Sequence, residues 1–212
     1  MAGEKEHRIL EFVKQNAVSG DPQSVVDHID KYCSQKEWAM NVGDEKGLIL
    51  DKVFKETNPS LVLELGTYCG YSALRIAQLL KPSARFFTIE INPVNAAVAR
   101  KMIEFAGLKD KIEILEGSTE HIIPRLRTDY GVVHVDFVFM DHFKDRYLVD
   151  TKLLEDCGLL KKGSVLLADN VVYPGAPDFL EYVRTSGCYD CTNYPAHVEY
   201  TDQPDALEKG CI

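Results

Sequence analysis

Two apolar runs end in oxygen-bearing side chains. Phe137-Val138-Phe139-Met140 leads into Asp141, and Val165-Leu166-Leu167-Ala168 leads into Asp169-Asn170. Three oxygen donors with no sulfur among them suit a hard divalent cation such as Mg2+, with water and substrate filling its remaining positions. The same acids also fit a plainer use as caps of the helices that follow. Lys144 stands three residues beyond Asp141. A lysine beside a bound cation loses its proton more readily and can act as a general base; away from one it is a solvated surface lysine. His142, among oxygen partners, reads as a residue that stacks on a ligand or packs, not as a metal ligand.

A second pair of acids lies upstream. Glu64 sits in Leu63-Glu64-Leu65-Gly66-Thr67-Tyr68-Cys69-Gly70-Tyr71-Ser72. The glycine spacing is G-x-x-x-G, not the G-x-G-x-x-G of a dinucleotide fingerprint, so a pyrophosphate cradle is not indicated. Gly66 permits a tight turn and a close backbone approach, Gly70 lets the next helix start against the strand, and a carboxylate before them suits a ligand with a cationic amine. An ordinary Gly-rich strand-to-helix turn accounts for the glycines equally. Glu90 closes the next apolar run, where a carboxylate can accept hydrogen bonds from both ribose hydroxyls of a nucleoside; it can also cap the helix after Asn92-Pro93. The pair is more specific than either acid alone.

The elements that must carry these residues follow from periodicity. Residues 1–57 read as three helices. The first is amphipathic, with Ile9, Leu10, Phe12, Val13 and Ala17 at helical spacing. The second is capped by Asp21 with Pro22 in its first turn, and the third covers about 44–57. From residue 60 short apolar runs (61–65, 85–89, 112–115, 135–140, 165–168) alternate with helical stretches near 71–80, 93–106, 118–127, 145–157 and 176–185. That alternation predicts βαβ units around a parallel sheet with both faces covered. Strands near 188–194 and 197–202, joined by Tyr194-Pro195-Ala196, predict a hairpin and an antiparallel last strand. Ligands of such sheets bind at the carboxyl ends of the strands, where all of these acids lie.

Length and composition bound the rest. The chain has 212 residues, 45% hydrophobic and 27% charged, which predicts one α/β domain over 1–212 with its own core. A net charge of −9 disfavours nucleic acid or an anionic membrane as partner and leaves a small molecule. No stretch reaches the ~18 apolar residues of a membrane span, and no apolar signal core follows the N-terminus. The six cysteines are mostly isolated and read as reduced thiols; Cys188-x-x-Cys191 lies away from any strand-to-helix turn and is not read as a redox or zinc site. The expected state is a cytoplasmic monomer.

The sequence resembles the catechol O-methyltransferases over nearly its whole length. The likeness runs through Gln35-Lys36-Glu37-Trp38-Ala39-Met40-Asn41-Val42-Gly43-Asp44, Leu63–Gly66, Tyr68–Ser72, Lys144-Asp145-Arg146-Tyr147-Leu148, Leu166–Asn170 and Glu199-Tyr200. It implies a Rossmann-like class I methyltransferase fold, a seven-stranded mostly parallel sheet with helices on both faces and an antiparallel strand at its end. The N-terminal helices, 1–57, would cover the site. It implies S-adenosylmethionine as donor and Mg2+ as cation. By that likeness Glu64 would meet the methionine amine, with Val42, Gly66, Tyr68 and Ser72 at the same end, and Glu90 would take the ribose. Met40, Asn41, Ile91, Ser118, Thr119, Glu120, Asp141 and His142 would complete the donor pocket. Asp141, Asp169 and Asn170 would hold the metal, Lys144 would be the base, and Glu199 would bind the second hydroxyl. Trp38, Phe143, Pro174, Val198 and Tyr200 would flank the ring, with Asp141, Lys144 and Asn170 also facing the substrate. The sequence departs from the family at Phe143, usually Trp, at Val198, usually Leu, and at Glu120, usually Gln; the first two bear on substrate preference and the third on the donor.

The implied reaction is Mg2+-dependent methylation of one hydroxyl of a catechol, such as a catecholamine or catechol estrogen. Three rivals stay open. The first is a cation-dependent O-methyltransferase of other vicinal-diol phenolics, against which Trp38 and the short chain favour small substrates. The second is a nicotinamide dehydrogenase, disfavoured by the missing G-x-G-x-x-G. The third is a non-catalytic nucleoside-binding protein, disfavoured by Lys144 and the oxygen set.

Overall fold

The computed structural model describes residues 3–212. Seven strands, β1 (Leu61–Leu65), β2 (Arg85–Glu90), β3 (Glu113–Glu116), β4 (Phe137–Met140), β5 (Val165–Ala168), β6 (Asp190–His197) and β7 (Pro204–Cys211), form one sheet in the order β3-β2-β1-β4-β5-β7-β6. The first five are mutually parallel, and β7 runs antiparallel to both of its neighbours, β5 and β6. Strand order reverses between β1 and β4, the switch point at which such sheets open a crevice.

Alternation along the strands divides the core. Val62, Phe86, Phe137, Phe139 and Leu167 face one side, packed with residues of α1 (Glu4–Asn16), α2 (Pro22–Gln35), α3 (Gly43–Thr57), α4 (Tyr71–Leu79) and α5 (Pro93–Phe105). Leu63, Leu65, Phe87, Val138, Met140 and Leu166 face the other, packed with α6 (Thr119–Ile122), α7 (Leu126–Tyr130), α8 (Tyr147–Asp156) and α9 (Pro177–Thr185). The local signals act as expected at α2, where the Asp21 side chain accepts the Ser24 N–H and Pro22 opens the first turn. No helix among the described residues is long and apolar enough to cross a membrane.

Two expectations are corrected. The single helix read over 118–127 is broken into α6, a 3₁₀ turn at Ile123–Arg125 and α7, because Pro124 cannot donate the backbone bond that a continuous helix needs. The terminal hairpin turns at 198–203, not at Tyr194-Pro195-Ala196. Val198 N–H bonds Gln203 O and Thr201 N–H bonds Val198 O, and Tyr200 takes a left-handed φ of 60° in that turn. Pro195 lies inside β6, opposite Ala206; β6 is an edge strand, where a residue without N–H is tolerated.

Candidate active site

The carboxyl ends of β1, β2, β4 and β5 open into a cleft of about 770 Å³. Its construction depends on Gly66. That residue has φ +97°, and a Cβ there would lie 2.6 Å from the Asp141 carbonyl oxygen. The close approach expected at Gly66 is therefore made by the neighbouring strand's own backbone, and it brings the ends of β1 and β4 together at the cleft floor.

At one end stand the residues read as nucleoside-binding. Glu90 is buried, with one carboxylate oxygen accepting the Tyr68 N–H at 2.8 Å and the other the Asn92 N–H at 2.8 Å; burial raises its pKa above the ordinary carboxylate value. Met40, Asn41, Val42, Ile91, Ser118, Thr119, Glu120 and His142 line the same cleft. His142 stacks on Tyr147 with ring centres 5.1 Å apart, and its Nε2 lies 2.7 Å from Asp150 Oδ2. Arg146 joins Asp150 at 3.0 Å to Glu120 at 3.4 Å. Glu64 does not line the cleft. It is fully buried behind Ser72, which does, and accepts the hydroxyls of Ser72 and Thr88. Burial pushes its carboxyl up to about 8.

At the other end lies the acidic set. Asp141 Oδ1 accepts Lys144 Nζ at 3.0 Å, and the same Nζ donates to the Tyr147 hydroxyl at 2.7 Å. Asp169 is fully buried; its Oδ1 accepts the Asn170 N–H at 2.7 Å and Lys46 Nζ at 2.9 Å. Burial pushes its carboxyl up to about 6 against the pull of Lys46. Glu199, pushed up to about 7 by burial, is within 3.5 Å of Lys46 Nζ at Oε2, an ion-pair distance without hydrogen-bond alignment. Trp38 donates its indole N–H to the Glu199 carbonyl at 3.3 Å. Gly43 lets the start of α3 reach this residue, since a Cβ there would stand 2.6 Å from Glu199 Cβ. Trp38, Phe143, Pro174 and Val198 line this end, with Phe143 67% and Trp38 47% exposed at the rim. Tyr200, expected beside the ring, does not line the cleft; its hydroxyl donates to Asp30 Oδ1 at 2.6 Å.

Buried polar atoms in folded chains almost always have partners. Among the described residues four side-chain atoms do not: Asn41 Oδ1, His142 Nδ1, Asp169 Oδ2 and Glu199 Oε2. All four belong to the expected site, so the unmet hydrogen-bonding capacity of the protein is concentrated where a ligand would meet it. No three His, Cys, Asp or Glu side chains among the described residues form a ready metal cage; the candidate set is two acids and an amide. It fits a hard cation on its own terms. Asp169 Oδ2 is bare, and the Asn170 amide spends its Nδ2 on Asp205 at 2.8 Å, leaving its carbonyl oxygen free. The composition fits as well: four acids, Asp141, Asp169, Glu199 and Asp205, surround only two lysines, Lys46 and Lys144.

Three residues here escaped the sequence reading. Lys46 is fully buried among Asp169, Glu199 and Asp205. Its signal was its place on the apolar stripe of α3 with Leu50, Val53 and Phe54. Tyr147 is also fully buried and donates to the carbonyls of Met140 and Asp169 at the ends of β4 and β5. Asp205 sits in β7, in a tail that carried no recognisable motif.

Residues 16–179 match the family described as O-methyltransferase. The chain is 60% identical to the catechol O-methyltransferase of Mus musculus over 209 residues, covering 99% of this chain and 79% of the mouse protein. Its fold is similar to that of an O-methyltransferase from Bacillus cereus solved in complex with SAH, at 21% identity and TM-score 0.77 over 90% of each chain. It is also similar to the O-methyltransferase TomG from Streptomyces achromogenes in complex with SAM, at 22% identity and TM-score 0.75, covering 100% of this chain and 99% of that one.

Proposed function

Because the chain belongs to the catechol O-methyltransferase family, we propose that it transfers the methyl group of S-adenosylmethionine to one hydroxyl of a catechol, with Mg2+ held by Asp141, Asp169 and Asn170. The observation that carries the acceptor half of this reading is the pair of buried oxygens without a hydrogen bond, Asp169 Oδ2 and Glu199 Oε2. The first suits a cation and the second a hydroxyl donor, and a vicinal diol on a metal ion supplies both.

A cation at Asp169 and Asn170 would acidify a hydroxyl bound to it and fix the ring. The chain's own residues do the rest. Lys144 Nζ, held between Asp141 Oδ1 and the Tyr147 hydroxyl, takes the proton of the reacting hydroxyl. Glu199 accepts the hydroxyl that is not methylated. Trp38, Phe143 and Pro174 flank the ring at the rim, and Glu90 accepts the donor's ribose hydroxyls at the far end. The oxygen then attacks the methyl carbon as its bond to sulfur breaks, so positioning and exclusion of water supply most of the acceleration.

The test is transfer of a radiolabelled methyl group to catechol, phenol and guaiacol under identical donor and Mg2+. Catechol is expected to be methylated with a kcat/KM about 10⁴-fold above phenol, since a site built for a polar partner rejects the analogue that lacks it, and a chelator is expected to abolish turnover. Comparable rates for catechol and phenol, or full activity in chelator, would remove the diol-on-cation reading.

A further inference from the structure

Asp205 is the second residue of β7, 3% exposed, and four donors converge on it. Its Oδ2 accepts Asn170 Nδ2 at 2.8 Å and Lys46 Nζ at 3.0 Å. Its Oδ1 accepts the N–H groups of Tyr173 at 3.0 Å and Val172 at 3.3 Å. A carboxylate offers about four lone-pair positions, so this one has none left for an ion.

What Asp205 does determine is the orientation of its neighbour. A side-chain amide is a donor at one end and an acceptor at the other. The Asp205 oxygen that faces Asn170 is an acceptor, already taking Lys46 Nζ, and it meets only the donor end of the amide, so Asn170 turns Nδ2 toward Asp205 and leaves its carbonyl oxygen to the cleft. Lys46 makes the matching selection at Asp169. Its Nζ, with the Asn170 N–H, occupies Oδ1, and Oδ2 stays bare. Lys46 also supplies a permanent counter-charge to acids that would otherwise be buried without compensation.

We infer that Lys46 and Asp205 are positioning residues of the candidate cation site: they select which oxygen of Asp169 and which end of the Asn170 amide are presented to a divalent ion. The inference rests on the cation reading given above. Partners of this kind, one layer outside the ligands, typically control metal affinity by 10- to 100-fold.

The experiment measures Mn2+ binding by electron paramagnetic resonance, with Mg2+ as competitor, on the wild-type chain, Asp205→Asn and Lys46→Met. Both variants are expected to bind Mn2+ 10- to 100-fold more weakly, while donor affinity, measured by calorimetry without added cation, stays within about twofold. Wild-type affinity in both variants overturns the inference and leaves the cation reading standing. Loss of donor affinity in step with Mn2+ affinity overturns it too, because the residues would then be structural only. No Mn2+ binding by the wild-type chain overturns both. Should the variants not fold, the wild-type chain still decides. The Asn170 side-chain NH2, assigned by its disappearance from the nitrogen-correlated NMR spectrum of Asn170→Ser, is expected to exchange slowly with water in the metal-free chain. Fast exchange would mean that Asp205 does not hold it, and the inference would fall.

Discussion

Glu64→Gln separates the burden of a buried acid from its use. Burial pushes the Glu64 carboxyl from its ordinary 4.5 to about 8. The folded chain therefore binds this proton more tightly than the unfolded chain does. Stability from this group is fully present below pH 4.5 and is lost as pH climbs toward 8. Each pH unit in that window costs about 1.4 kcal/mol, so at pH 7 the cost is about 3 kcal/mol, and it approaches about 5 kcal/mol above pH 8. Glutamine fills the same volume without that cost. It offers one acceptor where the carboxylate offered two, but Thr88 can turn its hydroxyl to Thr67, whose oxygen is 2.6 Å away. For a chain of this length 1 kcal/mol moves Tm by roughly 2–4 °C. The variant is therefore expected to melt on the order of 6–12 °C above wild type at pH 7, with a difference that shrinks toward pH 5. Other raised acids, Asp169 and Glu199 among them, are common to both chains and cancel in the comparison. The same reasoning bears on the donor. If its ammonium pairs with Glu64, the carboxyl must ionise on binding, so wild type should release a proton at pH 7 and bind more tightly as pH rises to about 8. Calorimetry in buffers of different ionisation enthalpy counts that proton, and Glu64→Gln should show none while binding more weakly. A Tm gain independent of pH would refute the stability argument, and wild-type binding without proton release would refute the placement of the amine.

Lys144→Met is expected to lower kcat by about 10²–10⁴-fold with donor affinity unchanged, read from single-turnover rates and calorimetry; an undiminished rate would return Lys144 to the surface. Glu199→Gln should narrow the gap in kcat/KM between catechol and phenol, measured side by side, and an unaltered ratio would show that Glu199 does not hold the second hydroxyl. Gly66→Ala forces a side chain into a left-handed backbone and against the Asp141 carbonyl, and is expected to cost at least about 2 kcal/mol, measured from the urea midpoint; a variant as stable as wild type would mean that β1 and β4 are not held at that separation.

The parts of the site that could be read from the sequence were those that obey a local rule. Asp141 and Asp169 each follow an apolar strand directly, with Asn170 next in line, so their place at the carboxyl edge follows from strand periodicity and the switch-point rule. Glu90 was legible for the same reason. Lys46 and Asp205 obey no local rule. A lysine in a helix is ordinarily solvated, and Lys46 is buried among acids far away in the chain, Asp169, Glu199 and, 159 residues away, Asp205. The sheet's seventh strand was misplaced through the same kind of dependence. A central strand is expected to be apolar, yet β7 carries Asp205 and Glu208, both buried. Glu208 is matched by Arg184 of α9 in a two-pronged bond at 2.7 and 2.8 Å. Without those distant partners the segment reads as a polar tail, and Pro195 in β6 then looks like the turn. The site thus has two layers of different legibility. Residues that face the cleft are announced by the strand ends on which they sit. Residues that orient them are announced only by charges brought together from far apart in the chain, and such pairs become visible only once the sheet has closed.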